Sequence, residues 1–150
     1  MAQVATQYQY YSNGVNSSGQ LTVFGAFNPP KGNQTVAVSF TGSYSYALTA
    51  NSMSYAGVVS LGTAVDVSGS TSPASQSATG GDARSGFFQI FGGYANFTGY
   101  NQNQRWAANI SGNSRSCVVG DALWQAASVF NAPMASSTNW GGIVVPLIAH

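Results

Sequence analysis

Apolar and polar residues alternate at a period of two along most of this chain, the spacing that turns one face of an extended strand inward. Val4, Thr6, Tyr8 and Tyr10 fall on one face of a first segment, with Gln3, Ala5, Gln7 and Gln9 on the other. Ser12-Asn13-Gly14 ends it, glycine supplying the positive φ of a tight turn. Leu21, Val23, Gly25 and Phe27 repeat the pattern up to Asn28-Pro29-Pro30, where two prolines remove two ladder donors. Val36, Val38 and Phe40 form the cleanest inward set, and Tyr44, Tyr46 and Leu48 follow beyond Gly42. Residues 53–67 read as one long strand or as two short ones divided near Gly62.

The second half is less uniform. Small polar residues dominate 68–82, which reads as an exposed low-complexity loop because nothing there can fill a core. Residues 83–91 and 94–100 flank Gly92-Gly93, which has the composition of a two-residue hairpin turn. A second hairpin is expected across Gly112-Asn113, between 106–111 and 115–119. Asp121 has the chemistry of a helix N-cap, and Leu123, Ala126, Ala127 and Phe130 follow at helical spacing until Asn131 and Pro133. The final segment, 142–149, carries Ile143, Val144 and Val145 in a row, as a strand covered on both faces does. Pro146 confines it to an edge or a bulge. The expected fold is a single mainly β domain spanning 1–150. Its form is an antiparallel two-sheet sandwich or jelly roll, with one short helix near 121–131.

Charge changes this picture more than any motif. The 150 residues include only four Lys or Arg and three Asp or Glu, and the one histidine is His150. An ordinary domain is about a quarter charged. So few titratable groups point away from an enzyme and away from any metal or other cofactor. A formal net charge of +1 gives no grip on polyanions, so nucleic acid is not an expected partner. No apolar run approaches the roughly 20 residues of a membrane-spanning helix, and no cleavable signal peptide is visible at the N-terminus. A neutral surface associates readily, since few ions must be desolvated and little net charge keeps copies apart.

The groups able to do chemistry are scattered. Cys117, His150 and an aspartate would complete a thiol triad, but a lone cysteine beside Val118 and Val119 reads as a small buried hydrophobe. Asp66, Asp82 and Asp121 are the only carboxylates available for hydrolysis, and read as strand, turn and cap positions. Asp82 alone is too little for calcium. The sequons at Asn16, Asn33, Asn96 and Asn109 are what chance gives in a chain this rich in Asn, Ser and Thr. Aromatic and amide side chains do crowd one region: Tyr94, Asn96, Tyr100, Asn101, Asn103, Arg105 and Trp106. Rings that stack on sugars and amides that bridge hydroxyls make this the candidate site for a neutral glycan, although core rings beside a polar loop at 101–104 are the plainer reading of the same residues.

Two functions follow as expectations. The first is a non-enzymatic structural protein of a larger assembly, such as a virion decoration, spike or fibre and tail module on a virion or extracellular surface. Its partners would be further copies of itself and other assembly proteins. The terminal segments 3–11 and 142–149 would make contact, through Tyr8, Tyr10, Ile143, Val145 and Leu147, because unpaired strands recruit strands. The second is a lectin-like module binding neutral glycans through the 94–106 cluster.

Overall fold

The computed structural model describes residues 2–7, 19–39, 48–80, 84–110 and 115–149. They carry β1 (Ala2–Gln7), β2 (Leu21–Gly25), β3 (Val58–Leu61), β4 (Val65–Gly69), β5 (Ala74–Thr79), β6 (Gly86–Gly93), β7 (Asn103–Ile110), β8 (Arg115–Leu123), β9 (Ala127–Ala132) and β10 (Trp140–Ala149). The architecture is mainly β, every pairing is antiparallel, and no helix occurs among the described residues. The strands form three sheets: β1 with β2, β5 with β9, and a six-stranded sheet built on β10, β6, β8 and β7.

The most apolar run lies inside that large sheet. β10 pairs along its length with β6 on one side, and on the other with β4 over Trp140 to Val144 and then β3 over Leu147 to Ala149. Pro146, expected to force an edge or bulge, is instead tolerated in an interior strand. Its carbonyl accepts from the Gly62 N–H, so its missing donor faces the break between β3 and β4, where no ladder bond is lost.

Both faces of this sheet are covered from within the chain. On one, Phe87 and Phe91 of β6, Val118 and Ala122 of β8, and Trp140 and Val144 of β10 meet Ala74 and Ala78 of β5 and Phe130 and Ala132 of β9. Phe91 stands edge-on to Trp140 at 5.6 Å, and Phe87 edge-on to Phe130 at 6.4 Å. On the other, Ile143 and Val145 pack with Leu21 of β2, and Val23, Phe88 and Ile90 close around them. The unbroken Ile143-Val144-Val145 run is thus explained by two covering ribbons of the same chain.

Four local expectations are corrected. Residues 121–131 are not helical: β8 continues through Asp121 to Leu123, and in β9 Ser128, Phe130 and Ala132 point inward at a period of two. The segment 68–82 is not simply a loop, because Ala74, Gln76 and Ala78 alternate inward from β5 while Ser75, Ser77 and Thr79 face solvent. Small side chains there let a ribbon lie close on the sheet. Gly92 and Gly93 form no turn, pairing within β6 with Cys117 and Ser116 of β8. Val36 and Val38 belong to no strand and are about half exposed; Phe40, Tyr44 and Tyr46 lie outside the described residues. Elsewhere the pattern held in part: 53–57 carry no strand and the rest of 53–67 divides at residues 62–64, while β7 and β8 form an antiparallel pair as expected, with Gly112-Asn113 outside the described residues.

Candidate functional site: a polar cleft over a buried aspartate

The β7–β8 ladder runs in register from Asn103 opposite Asp121 to Gln104 opposite Gly120, then skips one residue before Trp106 meets Val119. The extra residue is Arg105. A bulge of this kind re-aims a side chain, and here it brings Arg105 to the same carboxylate as Asn103. Asp121 has no solvent exposure. Its Oδ2 accepts from Arg105 Nε at 2.5 Å and from the Tyr55 hydroxyl at 3.0 Å, while Oδ1 accepts from Asn103 Nδ2 at 2.9 Å. A buried carboxylate needs such a set, since desolvation is offset only by charge and several donors together.

The consequences reach the surface. Hydrogen bonding and charge from Asp121 hold the Arg105 guanidinium firmly protonated. Burial, then the negative charge of Asp121 and its acceptance of the hydroxyl proton, push the Tyr55 phenol well above its ordinary value. The Tyr55 hydroxyl bond ties the strandless stretch 48–57 to β8 at this point. Between that stretch and β7 lies a cleft of about 290 Å³, lined by Asn51, Ser52, Met53, Ser54, Tyr55 and Arg105.

The aromatic and amide residues expected to form one glycan site are distributed over separate tasks. Arg115 lies 3.5 Å above the ring of half-buried Tyr94. Tyr100 belongs to the core: its ring stacks on Phe130 at 6.3 Å and its hydroxyl donates to Gln89. Gln89 continues to Gln76, and Gln76 to the Val65 carbonyl, in a polar thread between sheet and ribbon. Asn101 caps the outer edge of β9, donating to the Val129 carbonyl and accepting from the Asn131 N–H. Asn96 is exposed, and Trp106 is half-buried opposite Val119. Only Asn103 and Arg105 meet, at Asp121.

The residues expected to contact neighbours also sort differently. Ile143, Val145 and Leu147 are buried in the domain at 0%, 1% and 6% exposure, so the 142–149 strand offers no open edge. Tyr8 and Tyr10 lie outside the described residues. So does His150, the base imagined for Cys117, while burial pushes the Cys117 thiol up to about 12, far from a thiolate at neutral pH. Asp66 is exposed on β4 and Asp82 lies outside the described residues. Among the described residues no three His, Cys, Asp or Glu side chains converge as a metal site, and no helix is long and apolar enough to cross a membrane.

Sequence reasoning missed two features. Tyr55 as an anchor had no local signal, because its partner is 66 residues away. Trp124, read as part of a helix, is 69% exposed with φ of 62°, an unusual conformation for a bulky residue. Its N–H donates to the Ser85 carbonyl at 2.6 Å, which holds the β8–β9 connection in that shape. No protein-family model, curated protein or solved structure matches this chain.

Proposed function

We propose that this chain is a non-enzymatic structural protein, one unit of a larger assembly such as a virion decoration, spike or fibre module at a virion or extracellular surface. One observation carries the proposal. Residues 26–39 form no strand and are exposed throughout, yet they hold Phe27, Val36 and Val38 at 50%, 47% and 51% exposure. Strandless segments of this length inside compact domains are uncommon, and those that occur are often binding elements. Lys31 is the only charge in the stretch, so a neighbour could cover it without desolvating more than one ion. Pro29-Pro30 stiffens it, and Asn28 and Gly32 bend it at positive φ, which lowers the ordering cost on docking.

The partner is a second copy or another assembly protein, and contact is through neutral polar and small apolar groups. The test is the double variant Val36→Asp, Val38→Asp. Its monomer stability should stay within about 0.5 kcal/mol of wild type, as for surface changes in general, while higher-mass species disappear in sedimentation velocity. Oligomers that persist unchanged would reject the segment as the contact.

A further inference from the structure

We propose that the cleft between residues 51–55 and Arg105 is a binding site for one neutral sugar ring or a polyol of similar size. It is independent of assembly, and it lies apart from the rings of Tyr94, Tyr100 and Trp106. The volume sets the size. At about 290 Å³ the cleft sits at the lower limit of small-molecule sites, which suits a single ring and not an extended ligand.

The lining sets the chemistry. Tyr55 supplies an aromatic wall and Met53 a polarisable thioether, while Asn51, Ser52 and Ser54 supply one amide and two hydroxyls. Amides and hydroxyls both donate and accept, as sugar hydroxyls do. Aromatic rings stack on the apolar faces of sugars. The Tyr55 ring is already fixed at its far end by the bond to Asp121, so binding would not have to order it.

Arg105 is the one charged residue in the lining, and it decides between neutral and anionic ligands. A lone guanidinium would favour a carboxylate, sulfate or phosphate. Here Nε is held 2.5 Å from the Asp121 carboxylate, which neutralises the pair formally and would repel a second anion close by. Its remaining N–H donors then act as neutral-ligand donors, oriented by the bulge and by Asp121. The sequence hides this site because 51–55 and 105 are far apart in the chain and meet where Tyr55 and Arg105 share Asp121.

The experiment is a two-dimensional amide NMR titration of the full chain with glucose, galactose, mannose and N-acetylglucosamine, with sulfate as the anionic probe. At least one sugar should give saturable shifts in the amides of residues 51–55 and in the Arg105 Nε–H. A dissociation constant in the millimolar range is expected, weakened about tenfold or more in the double variant Asn51→Ala, Ser52→Ala. Both substituted residues are exposed, so the variant's amide spectrum should otherwise match wild type and report on binding alone. Three results would overturn the proposal: no saturable shift with any sugar, shifts unchanged in the variant, or saturation at these residues by sulfate in place of the sugars.

Discussion

Arg105 Nε lies 2.5 Å from Asp121 Oδ2, joining a guanidinium side chain that is 43% exposed to a carboxylate with no exposure at all. The asymmetry matters. If the acid is removed, Arg105 can turn to water, whereas if the base is removed a carboxylate stays buried with its charge uncompensated. Asp121→Ala should therefore be the milder change, about 1–2 kcal/mol, because Arg105 and Asn103 are exposed and Tyr55 is half-buried, so all three donors can turn to water. Arg105→Met should be the more damaging change. Urea unfolding of both variants checks the order, and a milder effect from Arg105→Met would contradict it.

Gly120 sits where Tyr100 crosses β8. A Cβ there would overlap the Tyr100 ring and lie 2.5 Å from the Asn103 carbonyl oxygen, which is backbone and cannot swing aside. Gly120→Ala should cost about 1–3 kcal/mol, the usual range for overpacking. It should also broaden the Tyr100 and Phe130 ring signals by NMR. A variant as stable as wild type would show that the ring is not held where the core places it.

Asn101 substitutes for a missing strand at the edge of β9. Its backbone N–H donates to the Asn131 carbonyl, its side-chain oxygen accepts from the Asn131 N–H, and its Nδ2 reaches the Val129 carbonyl. Asn101→Ala should lower stability by about 1 kcal/mol. The Asn131 amide should exchange with deuterium faster, because only the side-chain bonds are lost. Unchanged exchange at Asn131 would mean that the cap is not formed in solution.

Alkaline pH offers a different test. The Cys117 thiol is raised by burial from about 9 to about 12, so the folded state holds its proton more tightly than the unfolded state does. Stability from this group is whole below pH 9 and is lost as pH climbs from 9 toward 12, at up to about 1.4 kcal/mol per pH unit. Tyr55 and Tyr100, both raised by burial and by Asp121, act in the same direction above pH 10. Urea midpoints from pH 8 to 11 should fall for wild type and fall less steeply for Cys117→Ala. Parallel curves would show that the thiol does not contribute.

How much of this was legible in the sequence depended on how local the signal was. The alternation in Leu21 to Gly25, the division of 53–67 and the pairing of β7 with β8 all followed from period and turn residues. The Asp121 segment misled because an aspartate before Leu123 and Ala126 looks the same as cap or as buried ion-pair partner. Only Arg105 and Tyr55, 16 and 66 residues away, distinguish the two. The Ala and Ser alternation of β5 has the look of low complexity, since small residues appear coreless until Phe87 and Phe91 of β6 are known to lie beneath the ribbon. Val36 and Val38 had the right spacing for a strand, but periodicity shows only that a face is apolar, not that the same chain covers it.

We propose that this weakly charged chain associates with neighbours through residues 26–39. Native mass by light scattering, across a wide range of protein concentration, tests it most directly. A discrete oligomer, or a mass that grows with concentration and reverts in the Val36→Asp, Val38→Asp variant, is the expected result. A monomer that persists to the highest concentration, with no change in that variant, would contradict it.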